Sequence, residues 1–200
     1  MAGLSIESGL LRRAQDMFQY PEHDNIAALQ TGLDHLLEWA GEAGKARLKN
    51  AQLAGSAGDL DLKQLQIDYT ALFINAFPVT KAHPFAGWYE GDTIIMGPSD
   101  QKIRKFYSLQ GVDYDNFQIP ADHIMIELEF MALMAEQYEE TQNNFFYQAM
   151  GTMMHEHMEH WVLRFLEKVK ENARTDFYSQ LAAVLFILFE ELTVQLKEVA

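Results

Sequence analysis

An all-α fold, an irregular helical bundle, is predicted by three features of the sequence. Apolar residues recur at helical spacing, with Leu29, Leu33, Leu36 and Leu37 in one stretch and Leu60, Leu65, Tyr69, Leu72 and Phe73 in another; the i, i+3, i+4 pattern lines one face of a helix. Alternating period-2 runs, which would mark strands, are nearly absent. The 200 residues, 48% hydrophobic and 12% aromatic, can bury a sizeable core, as one domain over 1–200 or as two closely packed helical halves within it.

Taken in order, helices are expected at about 7–19, 25–40, 43–54, 60–76, 99–110, 122–140, 144–171 and 175–198. Gly41 closes one apolar run, and Ala54-Gly55-Ser56-Ala57-Gly58 separates two others. Pro98-Ser99-Asp100 begins a helix that Gly111 closes, and Pro120 initiates another. The one long irregular stretch runs from Pro78 to Pro98. A connection of that length is either a functional lid or the link between two halves, and as a hinge it would allow a dimer that exchanges halves as well as a monomer.

Composition removes several chemistries. The chain has no cysteine, which excludes disulfides, thiolate metal sites and thiol nucleophiles. Glu7, Arg12, Arg13 and Asp16 interrupt the first twenty residues, so a secretory leader is not expected there. The longest apolar run, Leu181–Phe189, is nine residues, against the roughly 20 needed to span a bilayer. A cytoplasmic protein without a membrane span is therefore expected. The net charge of −14, from 15 Lys and Arg against 29 Asp and Glu, disfavours nucleic acid and suits a basic partner. Between Lys105 and Arg164 lie no cations and ten carboxylates: Asp113, Asp115, Asp122, Glu127, Glu129, Glu136, Glu139, Glu140, Glu156 and Glu159. That stretch is a candidate face for a cationic ligand, unless arginines from elsewhere in the fold supply the pairing.

The usual catalytic patterns are missing. His155-Glu156-His157-Met158-Glu159-His160 places Glu159, not His, four after His155, and no histidine has Glu three residues before it; neither a zincin nor a ferritin-like di-iron pattern is met. No Gly-x-Ser-x-Gly, Walker or Gly-x-Gly-x-x-Gly motif occurs. Glu127 and Glu129, two apart on an expected helix, point to different faces. No catalytic residue, metal site or cofactor is therefore expected. Met125, Met131, Met134, Met150, Met153, Met154 and Met158 share a segment with most of the acids; they either form an adaptable apolar groove or fill a core.

The segment Pro120-Ala121-Asp122-His123-Ile124-Met125-Ile126-Glu127-Leu128-Glu129-Phe130-Met131 resembles the Pro-x-Asp-His and Glu-Leu-x-Phe-Met signature of the TorD/DmsD/NarJ chaperones. Asp68-Tyr69-Thr70-Ala71-Leu72-Phe73, Pro84-Phe85 with Tyr89, His157-Met158-Glu159-His160-Trp161 and Phe18-Gln19-Tyr20-Pro21 are similar to further elements of that family. Gly87 stands where its loop usually carries Ser, and no role is transferred to that position. The resemblance implies a TorD-like helical chaperone, not an enzyme. Such a protein binds the twin-arginine leader, the apo catalytic subunit, or both, of a molybdopterin oxidoreductase of the DMSO reductase family, assisting cofactor insertion and delaying export. A helical scaffold with another client, and a metal- or nucleotide-binding enzyme, are the alternatives.

On this reading the partner-binding residues are Asp122, His123, Glu127, Glu129, Tyr69, Phe73, Pro84, Tyr89, Pro120, Phe130, His157 and Trp161. Asp122, Glu127 or Glu129 would engage leader arginines, and Tyr69, Phe73, Phe130 and Trp161 would shape an apolar groove. His123 is either an orienting or pH-sensitive contact, or a core residue beside an Asp122 that caps the helix.

Overall fold

A computed structural model describes residues 7–43, 60–76, 79–113 and 119–196. The expected helix at 43–54 and the acid at Asp115 lie outside these segments. Nine α-helices follow one another among the described residues: α1 (Ser8–Asp16), α2 (Ile26–Ala43), α3 (Leu62–Tyr69), α4 (Ala86–Glu90), α5 (Pro98–Leu109), α6 (Ile124–Thr141), α7 (Asn144–Glu156), α8 (Val162–Asn172) and α9 (Asp176–Leu196).

Local chemistry sets most of the boundaries. Asp61 accepts from the N–H groups of Lys63 and Gln64 to start α3, Asn143 caps α7, and Pro98 occupies the first turn of α5. Gly91 at φ 96° and Gly111 at φ 77° end α4 and α5 in the left-handed region that glycine enters without a Cβ clash. The end of α1 is capped from a distance: Glu7 offers no side-chain cap, and the Ser8 N–H and hydroxyl both donate to Glu139 at 2.7 Å.

The helix expected over 144–171 is two helices. Backbone at His157 (φ −143°, ψ −68°) and Trp161 (φ −135°, ψ −35°) leaves helical geometry, and a 3₁₀ turn at Met158–His160 lies between them. The contacts made at this break are described below. The helix expected from 122 starts at Ile124, with His123 as its cap.

Packing places α6 between α1 and α7, while α9 lies against α2, α7 and α8. By length and a mean hydropathy of 1.5, α9 is apolar enough to cross a membrane, more so than the Leu181–Phe189 run suggests, but 61% of that stretch is buried inside the protein. Trp161, Tyr178, Phe18, Phe165, Phe177 and Phe189 are among the largest fully buried side chains; each such aromatic contributes on the order of 2–3 kcal/mol by leaving water. Met131, Met134, Met150, Met153, Met154 and Met158 are buried with them, and only Met125 is partly accessible. These methionines fill the core instead of lining an open groove.

α3 runs into a π turn at Thr70–Ile74, closed by the Asn75 N–H donating to Thr70 O at 2.8 Å. The buried Asp68 ties α3 to the connection between α8 and α9. Its Oδ2 accepts from the Arg174 N–H, the Thr175 N–H and the Thr175 hydroxyl at 2.8–2.9 Å. Asp68→Ala leaves these donors without their acceptor and should lower unfolding free energy by about 2–3 kcal/mol, measured by urea denaturation.

Candidate functional site

The Pro-x-Asp-His segment is held by the long loop. Phe85 and His123 form an antiparallel bridge, in which the Ala86 N–H donates to Asp122 O at 2.9 Å and the Ile124 N–H to Pro84 O at 3.0 Å. Pro84 and Pro120 are both buried at this junction. Asp122 does not cap α6. Its Oδ2 accepts from the Gly87 N–H at 2.9 Å, and its Oδ1 is buried with no hydrogen-bond partner. Burial raises the Asp122 pKa, with the Gly87 N–H pulling against it and Asp100 adding to it. Asp100 itself accepts from the Ala121 N–H at 2.6 Å and pairs with Arg104 at 2.7 Å. His123 supplies the cap, its Nδ1 accepting from the Met125 N–H at 3.1 Å; burial pushes its pKa down to about 4.

Four residues after His123, the Glu127 side chain is 0% exposed. It lies 2.6 Å from His157 Nε2 and accepts from Trp161 Nε1–H at 3.1 Å. An isolated carboxylate in that interior costs several kcal/mol, so both donors must reach it. The break in helical geometry at 157–161 coincides with both rings meeting the one carboxylate. Burial raises Glu127 to about 7, against the influence of His157. For His157 burial lowers the pKa, but the charge and hydrogen bond of Glu127, with Glu90 at 3.6 Å from Nδ1, raise it overall. Both folded values are raised, so the native state holds these protons more tightly than the unfolded chain. The pair's stabilisation is therefore lost with rising pH, for Glu127 between its ordinary 4.5 and about 7.

Trp161 continues into an aromatic cluster. Its ring centroid is 5.7 Å from both Tyr89 and Phe165; Phe165 in turn meets Phe73 and Phe18, and Tyr69 meets Phe73 at 5.0 Å. The Tyr69 hydroxyl donates to Phe18 O at 2.8 Å, tying in the aromatic-Pro segment after α1. Phe130 lies in a separate stack, 4.8 Å from Tyr107.

The acids of α6 divide by face, as the two-residue spacing requires. Glu127 points inward, whereas Glu129 lies outward and pairs with Arg12 at 3.0 Å, which also makes two bonds to Glu136 at 2.9 and 2.6 Å. With Ser8 on Glu139, α1 thus supplies much of the pairing that the segment between Lys105 and Arg164 lacks. His155 and Glu159 pair with each other at 2.9 Å. Among the described residues no group of three or more His, Asp or Glu could hold a metal ion.

The accessible part of this neighbourhood is a cleft of about 140 Å³ over Asp122, lined by His83, Phe85, Gly87, Trp88, Asp92, Ile94 and Ile95. Trp88 is 55% exposed, Ile94 and Ile95 are 68% exposed, and the adjoining Met96 is 45% exposed in a left-handed conformation, φ 59°. Contiguous exposed apolar surface of this kind is a feature that protein interaction surfaces share. Trp88 stacks on His83 with centroids 3.7 Å apart, and burial lowers the His83 pKa. Gly87 is wedged between two carboxylates, since a Cβ there would stand 2.7 Å from Asp92 Oδ2 and 3.1 Å from Asp122 Oδ2. Asp92 also receives the Ser99 N–H at 3.0 Å and so steadies the start of α5. Sequence reasoning missed His83, Trp88, Asp92, Ile94 and Ile95; the length and aromatic content of the Pro78–Pro98 stretch were the available signal.

Glu127→Ala strands His157 and Trp161 and should cost about 3–5 kcal/mol, with Glu127→Gln losing less, compared by chemical denaturation at neutral pH. His123→Asn retains a capping acceptor but does not titrate. As pH falls from the ordinary 6.5 of His123 toward its folded value of about 4, the unfolded wild-type chain takes up a proton that the native state refuses. The variant's stability relative to wild type should therefore rise by about 2 kcal/mol across that window, measured as a pH series of unfolding midpoints.

Comparison with known proteins agrees with this architecture. The profile of the nitrate reductase delta subunit family matches residues 28–167. The TorD chaperone of Vibrio cholerae serotype O1 is 26% identical over 133 residues, covering 64% of this chain and 60% of that protein. The TorD chaperone of Shewanella pealeana is 26% identical over 145 residues, covering 68% of this chain and 62% of that protein. The matched region thus spans about three-fifths of these relatives. A crystal structure of an Archaeoglobus fulgidus protein assigned to redox enzyme maturation superposes with a TM-score of 0.58 at 21% identity, covering 95% of this chain and 99% of that one, and so shares the fold. With the profile matched over most of its length, the chain belongs to the nitrate reductase delta subunit family, the TorD/NarJ group.

Proposed function

We propose that this protein is a cytoplasmic maturation chaperone, not an enzyme, that captures the twin-arginine leader of a molybdopterin oxidoreductase, assisting cofactor insertion and delaying export. The observation that carries this reading is the cleft over Asp122. The exposed apolar side chains of Trp88, Ile94 and Ile95 line it together with two carboxylates, Asp92 and Asp122. A leader peptide has the complementary make-up, an arginine pair followed by an apolar segment. A guanidinium in the cleft would offset the burial that disfavours the Asp122 charge, and a small opening of the loop at Gly87 would let it reach the buried, unpartnered Oδ1. The TorD chaperones among its relatives support the same assignment.

In this proposal the twelve residues picked from sequence divide by position. Asp122 meets the leader, His123 and Pro84 hold the Phe85 bridge beside the cleft, and Glu127, His157 and Trp161 brace α6 and the break after α7. Tyr89, Tyr69 and Phe73 extend that bracing through the aromatic cluster, Phe130 belongs to the separate stack on Tyr107, and Pro120 is buried at the junction with the loop. Glu129 is engaged by Arg12 and plays the smallest part.

Calorimetry against synthetic leaders, each paired with an Arg-Arg to Gln-Gln control, tests the proposal. One leader should bind with micromolar or better affinity. Asp122→Asn, which keeps an acceptor for Gly87, should weaken it about tenfold or more, and Trp88→Ala similarly, with unfolding midpoints little changed. Equal binding of leader and control, or affinity falling only with stability, would refute it.

A further inference from the structure

A second, wider cleft of about 530 Å³ is lined by Tyr20, Lys63, Ile67, Lys81 and Arg174 together with the start of the π turn. Three cations and no carboxylate occur in that lining, in a chain whose net charge is −14. The three come from remote parts of the sequence and are set in place through their backbones. Lys63 stands in the first turn of α3, where its N–H donates to Asp61 at 2.9 Å. The Lys81 N–H donates to Ala71 O in the π turn at 3.4 Å, and the Arg174 N–H to Asp68 at 2.9 Å. Among the described residues none of the three side chains makes an ion pair, unlike Arg12, Arg104 and Lys168.

The floor of this cleft is the π turn itself, an irregularity found disproportionately at functional positions in helices. Its walls are partly apolar: Tyr20 and Ile67 are exposed. A bare inorganic anion has no use for those walls, and nucleic acid would be repelled by the rest of the molecule. We propose that this cleft is a docking surface for an acidic, partly apolar segment of a partner protein, distinct from the cleft over Asp122. The carboxylates of that segment pair with Lys63, Lys81 and Arg174, and its apolar side chains lie on Tyr20 and Ile67. Local cation clustering lets a strongly acidic protein accept an acidic partner at one place only, which orients the complex.

The test uses the full chain and a short fluorescein-labelled peptide alternating Glu with Leu and Phe, followed by fluorescence anisotropy at low and high salt. Wild type should bind it, and salt should weaken the binding. The triple variant Lys63→Gln, Lys81→Gln and Arg174→Gln should lose about tenfold or more in affinity. An equal change of charge elsewhere, Lys102→Gln, Lys168→Gln and Lys170→Gln, should leave affinity within about twofold. Unfolding midpoints and leader binding of the cleft variant should stay at wild-type values, which separates this surface from the leader site. Absence of binding to wild type, equal loss in both triple variants, or full displacement of the peptide by inorganic phosphate at matched ionic strength would each overturn the proposal.

Discussion

The buried carboxylate of Glu127 is the constraint on which the centre of the protein depends. Its side chain is fully buried, and a charge in such a place is tolerated only if hydrogen-bonding partners reach it. His157 and Trp161 do so from the two ends of the break that divides α7 from α8. Trp161, placed by its indole N–H, becomes the wall against which Tyr89 and Phe165 pack. One hydrogen-bonded triad thus joins α6 to the break between α7 and α8 and, through Trp161, to Tyr89 of α4.

Acidity serves different ends in different places. Asp68, Asp100 and Asp122 are buried and accept backbone N–H groups from segments far away in sequence, 106, 21 and 35 residues distant. Each fastens a connection that no helix would hold. Glu129, Glu136 and Glu139 lie on the outer side of α6 and anchor α1 through Arg12 and Ser8. The net charge is therefore a poor guide to the binding surface, because many of the acids are occupied with internal work. Asp68 Oδ1 and Asp122 Oδ1 are both buried without a donor, and what distinguishes Asp122 is the exposed Trp88, Ile94 and Ile95 that line a cleft with it.

The signature from Pro120 to Met131 looks like a binding motif when read linearly, but its residues point in several directions. Asp122 clips Gly87, His123 caps α6, Glu127 enters the core, Glu129 leaves it, and Phe130 stacks on Tyr107. Such a motif preserves a local framework and presents little of itself to solvent. The exposed apolar side chains come instead from the Pro78–Pro98 loop, whose irregular composition carries no periodicity from which orientation could be inferred.

Sequence alone determined the helical class, most helix limits and the family, because apolar period, Pro, Gly and capping residues act within a few positions of one another. It also separated Glu127 from Glu129, since two residues on a helix differ by some 200° of rotation. Tertiary structure decided which acids are paired, that the methionines are core, that the helix breaks at His157, and that Trp88, Ile94 and Ile95 line a cleft with Asp122. Those outcomes depend on partners 30 or more residues away, such as Glu127 for His157 and Gly87 for Asp122, and a burial cost that depends on distant neighbours has no signature in local spacing.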